Sequence, residues 1–369
     1  MTPPDLRHAL SLTFPEWEQT LTQWGQPAYR ARQVYHWLHA KHAFSFEEMT
    51  DLPRPLRAEL AAHSHLPAAK MAEKAKSADG SVKYLFMAPD GSPFEAVRLR
   101  GRGGDSICVS TQSGCSFRCR FCATGSMGFN RNLAASEILH QIYFVARRHE
   151  LASFRVLLMG MGEPLANLGE VAAALRQLQH PDGMAFSPRR ITVSSIGRKG
   201  KIRALGQALP GVGFALSLHF TDDATRRKYM PATRGFPLAE LLEELVLAEG
   251  LGKVTLEYVL LAGVNDTRED AAALASIAHG AYPRERKYEP PSRVRQRFRE
   301  RTAYHVNLIE YNPVAGVPLR PSREQDTLAV QGYLKAAGVN ATLRRSRGAD
   351  VAAACGMLAA RRTRPEESP

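Results

Sequence analysis

The sequence predicts an α/β protein in which a partial (β/α)6 barrel follows a small helical domain. Strand-like and helix-like stretches alternate over most of the 369 residues, a pattern typical of parallel sheets covered by helices. The strand-like stretches are apolar and rich in β-branched residues, as expected of strands buried on both faces. Six such stretches are present, so an incomplete barrel explains them better than a full barrel of eight strands.

The first 75 residues are predicted to be helical and to form a separate domain. Residues 15–24 predict one helix, which ends at Gly25, and residues 27–42 predict a second. Opposite its apolar face, the second helix carries basic and histidine side chains: Arg30, Arg32, His36 and His39. This face is either an ordinary solvated surface or the RNA-binding surface of an accessory domain, and the residues alone leave both interpretations open.

Residues 76–360 are predicted to form the main domain, and residues 361–369 a short tail. Two strands come first, at 82–87 and 94–100, joined by a Pro-Asp-Gly-Ser turn. The barrel strands are predicted at 106–111, 155–160, 191–195, 213–220, 254–261 and 304–311. Helices between them are predicted at 135–150, 168–178, 238–249 and 269–279.

Residues 282–302 interrupt the last crossover with eight basic and three acidic side chains. Prolines in this segment discourage a continuous helix. A basic arm that contacts phosphate backbones and a surface insertion without function explain it equally well.

The composition favours a cytoplasmic protein with a polyanionic partner. The formal net charge is +13, which points to nucleic acid as the simplest partner. Five cysteines, an odd and clustered number, argue against a secreted disulfide framework. No apolar run is long enough to span a bilayer, and residues 1–25 lack a signal-peptide pattern, so no membrane association is expected.

Residues 107–128 contain four of the five cysteines and are the most informative stretch of the chain. Cys115, Cys119 and Cys122 are spaced C-x3-C-x2-C, with Phe121 before the third cysteine. Three thiolates on one loop suit an iron–sulfur cluster and leave one iron of a four-iron cubane open to a small molecule. A structural zinc site is the alternative, but zinc normally needs a second pair of ligands that this chain lacks.

Polar residues follow several of the predicted barrel strands. They are Gly160, Gly162 and Glu163, then Ser194 and Ser195, then Ser217 and His219, then Asn312. Because the carboxyl ends of barrel strands build the active site, we expect these groups to surround one opening. By contrast, Glu95 in the second of the first two strands is interpreted as a surface charge at a strand edge. The fifth cysteine, Cys355, taken alone, is best explained as a small buried thiol.

Together these motifs resemble the RlmN/Cfr family of radical S-adenosylmethionine (SAM) RNA adenine methyltransferases. The matching segments occur in the family's order: Glu95, CVSTQSGC at 108–115, CSFRCRFCATG at 115–125, GMGEPLAN at 160–167, SPRRITVSS at 187–195, SLH at 217–219, YHVNLIEYNP at 304–313 and AACG at 353–356. They span about three quarters of the chain, and the helical N-terminus resembles the family's accessory RNA-binding domain. The resemblance therefore implies a radical-SAM barrel as the catalytic core.

The resemblance also implies site residues. It assigns a [4Fe-4S] cluster to Cys115, Cys119 and Cys122, with SAM on the open iron. It assigns the SAM site to Gly162, Glu163, Ser194, Ser217, Leu218, His219 and Asn312. It makes Cys355 the methyl carrier, Cys108 its resolving partner and Glu95 a proton acceptor, which replaces the surface interpretation of Glu95.

The implied reaction uses two SAM molecules per turnover, one to methylate Cys355 and one to generate the radical that activates this methyl group. A Cys108–Cys355 disulfide then forms and must be reduced. The implied partners are 23S rRNA of the peptidyl transferase centre, tRNA, an electron donor for the cluster and a disulfide reductant.

The sequence leaves alternatives open for the target carbon of the adenine and for the reaction class. Arg347-Gly348 favours the adenine 2-position of the RlmN branch, whereas CATG and YHVNLIEYNP are closer to the 8-position Cfr branch, which confers ribosomal antibiotic resistance. Ala352, Met357 and Phe220 depart from the family pattern. We favour the 2-position. A radical-SAM enzyme of another class and a non-enzymatic cluster- or zinc-bearing RNA-binding protein are the remaining alternatives.

Overall fold

The computed structural model describes residues 7–101, 103–280 and 303–359. The predicted basic segment 282–302 and the tail 361–369 lie outside the described residues. The strands are β1 (Arg7–His8), β2 (Ser64–His65), β3 (Lys70–Lys76), β4 (Val82–Met87), β5 (Pro93–Leu99), β6 (Asp105–Cys108), β7 (Gln112–Gly114), β8 (Phe129–Asn132), β9 (Phe154–Leu158), β10 (Ile191–Ser195), β11 (Gly213–Ser217), β12 (Val254–Leu260), β13 (His305–Glu310) and β14 (Ala341–Arg344).

The α-helices are α1 (Phe14–Gln23), α2 (Tyr29–His39), α3 (Arg54–His63), α4 (Ala123–Met127), α5 (Ala135–Arg148), α6 (Leu168–Gln179), α7 (Lys201–Ala208), α8 (Asp223–Tyr229), α9 (Leu238–Leu247), α10 (Arg268–Ala278) and α11 (Glu324–Ala336). Several of them begin at a capping box, which satisfies backbone N–H groups that the first turn leaves without partners. At α10, for example, Thr267 Oγ1 accepts from the Asp270 N–H and the Asp270 carboxylate accepts from the Thr267 N–H.

A ten-stranded sheet organises the main domain in the order β14-β13-β12-β11-β10-β9-β6-β5-β4-β3. The pairings from β14 to β6 are parallel, and β5, β4 and β3 continue the sheet in antiparallel pairing. Because β14 and β3 each have one neighbour only among the described strands, the barrel is open. The predicted α/β fold with a partial barrel is confirmed, and all six predicted barrel strands are present.

Two strands of the ten-stranded sheet were not predicted, and both lie at its edges. β14 adds a seventh parallel strand. This strand has only four residues and is partly exposed, so its sequence contains no apolar run. The prediction of helix up to residue 75 is wrong for β3, whose sequence KMAEKAK consists of good helix formers. Pairing with β4 overrides that local preference, and the lysines of β3 suit an exposed sheet edge.

The N-terminal helices pack against α5 of the main domain. His39 Nδ1 lies 2.9 Å from the Tyr143 hydroxyl, and the His42 ring stacks on the Tyr143 ring at 4.5 Å. At the rim of the contact, Arg147 forms a 2.7 Å ion pair with Glu48. The apolar side chains of α1, α2 and α3 are continuous with the main core through this contact. The domain boundary at residue 75 remains a prediction.

Candidate active site

A cavity of about 1000 Å3, its open mouth included, lies at the carboxyl ends of the barrel strands. Its walls contain the polar residues that follow β9, β10, β11 and β13, together with the cysteine loop: Gly160, Gly162, Glu163, Ser194, Ser195, Ser217, His219, Asn312, Cys115, Cys119 and Cys122. The expected convergence of strand-end groups is therefore observed. Leu218 is the exception among the predicted cavity residues, because its side chain is fully buried behind the wall.

The cysteine loop, residues 115–122, is held by backbone hydrogen bonds at several points. The Cys115 N–H donates to the Gly128 carbonyl at 2.8 Å, and the Arg120 N–H donates to the Tyr229 carbonyl at 2.8 Å. Gly125 allows α4 to pack closely on the loop, since a Cβ there would lie 2.8 Å from the Cys119 carbonyl oxygen. The loop is thus fixed by both α4 and the end of α8.

The donor set of this loop fits an iron–sulfur cluster. Burial raises the pKa of Cys115 to about 12 and that of Cys119 well above its usual range, so a bound metal is needed to hold these sulfurs as thiolates. Within the described residues, no three His, Cys, Asp or Glu side chains converge on a single metal ion. Three thiols that line one cavity suit a cubane, in which each sulfur binds a different iron.

Glu163 is a buried carboxylate at the back of the cavity, with 3% of its surface exposed. Its Oε1 accepts from the Leu165 N–H at 2.9 Å and its Oε2 from the Ile196 N–H at 3.1 Å. Burial raises its pKa above the ordinary value. Gly162, at φ +102°, passes so close to Gln112 that a Cβ would lie 2.6 Å from the Gln112 side chain. Only glycine therefore brings Glu163 into this position.

Polar groups on β10 and at the end of β11 complete the wall. Ser194 and Ser217 share a hydrogen bond of 3.2 Å between their hydroxyl oxygens. His219 adopts a left-handed backbone at φ 57°, and its Nδ1 accepts from the Val259 N–H at 3.2 Å. Burial lowers the pKa of His219 to about 3, so its ring is neutral at physiological pH. This arrangement leaves the Nε2–H of His219 as the free donor of the ring.

Cys355 stands between the first cavity and a second cavity of about 1650 Å3, and it belongs to the walls of both. It is exposed, but its exposed surface opens into these cavities. The Asn312 side-chain amide donates to the Cys355 carbonyl at 3.1 Å and fixes the loop. The second cavity also contains Cys108 and three arginines, Arg344, Arg345 and Arg347.

Cys108 lies on β6, opposite Val97 of β5, with 7% of its surface exposed. Burial raises the pKa of its thiol to about 12, and the sulfur of Cys355 acts in the same direction. Both thiols belong to the wall of the second cavity. Glu95 is two residues before Val97 on β5, and alternate residues of a strand share a face. Glu95, Val97 and Cys108 therefore face the same side of the sheet.

Glu95 is fully buried, so its interpretation as a surface charge is wrong. Its Oε1 lies 3.1 Å from Lys83 Nζ, and its Oε2 accepts from the Ala359 N–H at 3.1 Å. The cause of the error is that both faces of β5 are covered, one of them by the segment that carries Cys355. Lys83, whose Nζ also donates to the Ala352 carbonyl at 3.4 Å, was missed because an isolated lysine in a strand gives no sequence signal.

Two further charged residues of the cavity walls were also missed. Glu257 on β12 accepts from Thr255 and Asn307, each at 2.8 Å, and Arg344 Nη1 lies 3.4 Å from it. A charged residue within the apolar run of β12 was the available signal for Glu257.

Known proteins share both parts of this architecture. Residues 9–66 match the family model of the ribosomal RNA large subunit methyltransferase N-terminal domain, and residues 109–275 match that of the radical SAM superfamily. A probable dual-specificity RNA methyltransferase RlmN from Thermus thermophilus is 42% identical over 91% of this chain and 90% of its own. The chain belongs to the RlmN family.

Other members give the same result. A dual-specificity RNA methyltransferase RlmN from an Anaeromyxobacter species is 39% identical over 97% of this chain and 91% of its own. The crystal structure of a radical SAM methyltransferase from Sphaerobacter thermophilus superposes with a TM-score of 0.87, at 36% identity, over 96% of this chain and 100% of that one. This RlmN family member is therefore a radical-SAM RNA methyltransferase whose cofactors are a [4Fe-4S] cluster and SAM. No helix among its described residues is long and apolar enough to cross a membrane.

Proposed function

We propose that this protein methylates the 2-position of an adenine in 23S rRNA of the peptidyl transferase centre and in tRNA, and that Cys355 carries the methyl group. The observation that carries the proposal is the position of Cys355 in the common wall of two cavities. A thiol there can accept a methyl group on one side and deliver it to a base on the other. Cys108 in the second cavity gives that thiol a partner for disulfide formation.

The first cavity is the proposed site of SAM and the cluster. Cys115, Cys119 and Cys122 hold the cluster, which supplies the electron for reductive cleavage of SAM when both are bound. Glu163 accepts hydrogen bonds from the SAM ammonium, since it is a buried carboxylate of this wall, next to Gly162. The other proposed SAM-binding residues are Gly162, Ser194, Ser217, Leu218, His219 and Asn312. Leu218 acts through its backbone, because its side chain is buried.

The second cavity is the proposed site of the target adenine. Its volume admits a flipped nucleotide, and Arg345 and Arg347 offer donors to phosphate. Glu95 accepts the proton that the ring carbon loses, and the charge of Lys83 beside it stabilises its carboxylate form. Attack of the Cys108 thiolate on the Cys355 sulfur then breaks the bond between that sulfur and the transferred carbon. The electron pair of that bond passes to the base, and the transferred carbon takes up a proton to become the methyl group. The methylated base leaves, and the resulting disulfide is reduced by an external thiol system.

The helical N-terminus is the proposed accessory RNA-binding domain. Arg30 and Arg32 lie on α2, Arg32 is exposed, and the Lys41 ammonium lies 3.6 Å from the centroid of the Trp37 ring. Such a mixture of cations and aromatic rings suits an RNA surface. The match to a ribosomal RNA methyltransferase N-terminal domain over residues 9–66 supports this assignment and the choice of rRNA.

The alternative is methylation of the adenine 8-position. We favour the 2-position because the relatives of about 40% identity are called dual-specificity RNA methyltransferase RlmN. Nucleoside mass spectrometry of 23S rRNA and tRNA tests this, using cells that lack the gene and express either wild type or Cys355→Ala. We expect 2-methyladenosine in both RNAs with wild type and in neither with the variant. Detection of 8-methyladenosine instead would show that the position is wrong.

A further inference from the structure

Arg226, on α8 behind the cysteine loop, is a buried arginine with 1% of its surface exposed. Its Nη1 donates to the Leu218 carbonyl at 2.7 Å, and its Nη2 donates to the Ile196 carbonyl at 3.3 Å. Within the part of the chain that the structure describes, its buried Nε has no hydrogen-bond partner. The side chain thus bridges the segments that follow β10 and β11, and one donor is left over.

Asp223 and Asp222 are carboxylates whose charges act on Arg226, but within the described residues neither is in ion-pair contact with it. Asp222 and Asp223 are the nearest carboxylates along the helix, but each is occupied by a backbone amide: Asp222 Oδ1 accepts from Thr225 and Asp223 Oδ1 from Leu238, both at 2.8 Å. Among the described residues, neither forms an ion pair with Arg226. Burial lowers the pKa of Arg226 to about 10, which still leaves it charged at neutral pH. A buried cation of this kind is costly unless a negative group lies beside it.

The cluster site offers a further negative group once a cluster is bound. Cys119 packs in the same apolar cluster as Tyr229 and Met230, which lie three and four residues after Arg226 along the chain. The Arg120 N–H donates to the Tyr229 carbonyl, so the cysteine loop is tied to the end of α8. Ile196, whose carbonyl accepts from Arg226 Nη2, packs in the same apolar cluster as Cys119.

We propose that Arg226 is the counter-ion of the iron–sulfur cluster and a positioning residue that favours its reduced form. The inference rests on the proposed role of Cys119 as a cluster ligand. A [4Fe-4S]2+ core with three thiolates has a net charge of about −1, and one electron from an external single-electron donor makes it about −2. A fixed cation stabilises the second state more than the first, because the Coulomb energy scales with the charge.

The test is a reductive titration of anaerobically reconstituted protein, followed by electron paramagnetic resonance of the reduced cluster. Arg226→Gln removes the charge, and Arg226→Lys keeps it but loses the fork that bonds Leu218 and Ile196. Arg227→Gln is the matched control, because Arg227 is the next residue of α8 and is exposed. For Arg226→Gln we expect the ratio of reduced to oxidised cluster at a fixed potential to fall by roughly tenfold, a shift of about 59 mV for one electron.

Arg226→Lys and Arg227→Gln should stay close to wild type in this ratio. Equal shifts in Arg226→Gln and Arg226→Lys, or no shift in Arg226→Gln, would overturn the counter-ion role, because a structural effect follows the hydrogen bonds rather than the charge. If Arg226→Gln does not retain iron, the iron content of Arg226→Lys decides the question. Iron retained by Arg226→Lys supports the need for a charge at this position, and iron lost from it contradicts that need. A wild type without a cluster signal would instead refute the assignment of the three cysteines.

Discussion

Replacing Glu163 with glutamine should weaken SAM binding without loss of the cluster. In the native protein, its two carboxylate oxygens accept from the Leu165 and Ile196 N–H groups. Glutamine keeps the shape but has only one acceptor oxygen, so its NH2 group must face one of these N–H donors. The variant also loses the negative charge that is proposed to hold the SAM ammonium.

The size of the effect follows from the loss of a charge-assisted hydrogen bond in a buried site. Such bonds contribute about 1.5–3 kcal/mol, so the Kd of SAM should rise roughly 10- to 150-fold. Acidification should act in the same direction on the wild type. The pKa of Glu163 is raised, so its protonation begins at higher pH than in an ordinary glutamate. As the pH is lowered, the wild-type affinity should therefore begin to fall before an ordinary glutamate would titrate, while that of Glu163→Gln stays flat.

Isothermal titration calorimetry of anaerobic, cluster-loaded protein with SAM measures both effects. Glu244→Gln is the matched control, because Glu244 is also buried and accepts from the Gly200 and Ile202 N–H groups at 2.6 and 2.9 Å. It does not belong to the cavity wall, so its variant should bind SAM as wild type does. Equal SAM affinity in wild type and Glu163→Gln would refute the proposed role of Glu163.

Three further predictions concern the thiols and His42, which follows α2. Replacing any one of the three loop cysteines with alanine should remove most of about four irons per chain, whereas Cys108→Ala should keep them, as iron analysis will show. In cluster-loaded, reduced protein, iodoacetamide should label Cys355 well before Cys108, as mass spectrometry will show, since Cys108 is only 7% exposed and its pKa is about 12. Labelling of Cys108 before Cys355 would contradict the positions of the two thiols. Burial lowers the pKa of His42 to about 4, below the value of about 6.5 in the unfolded chain. The folded state therefore has its full stability above pH 6.5 and loses stability as the pH falls, by about 2 kcal/mol at pH 5. The melting temperature should therefore depend less on pH in His42→Gln than in wild type or in His36→Gln, a change at an exposed position.

The sequence predicts well those features that depend on short spacings. The cysteine loop is read directly from C-x3-C-x2-C, and the strand ends follow from apolar runs that stop at a polar residue. Gly162 and Glu163 are adjacent in sequence, so the close approach of the Gly162 backbone to Gln112 fixes the position of Glu163.

Features that depend on distant parts of the chain could not be predicted in this way. The burial of Glu95 comes from the segment near residue 359, more than 250 positions away. Arg226 and Arg227 are neighbours of the same type, and only the orientation of α8 makes one buried and the other exposed. β3 has the composition of a helix and becomes a strand because β4 provides its hydrogen-bond partners.

The most direct test of the central claim is the fate of Cys108→Ala in cells that contain the target RNA. Cys355 must be joined covalently to adenine before Cys108 can act, so this variant should complete the early steps and fail at release. We expect a protein–RNA adduct that survives denaturing gels, shrinks after nuclease treatment and is absent from the Cys108→Ala/Cys355→Ala double variant. Normal turnover by Cys108→Ala, or an adduct that persists without Cys355, would contradict the methyl-carrier mechanism.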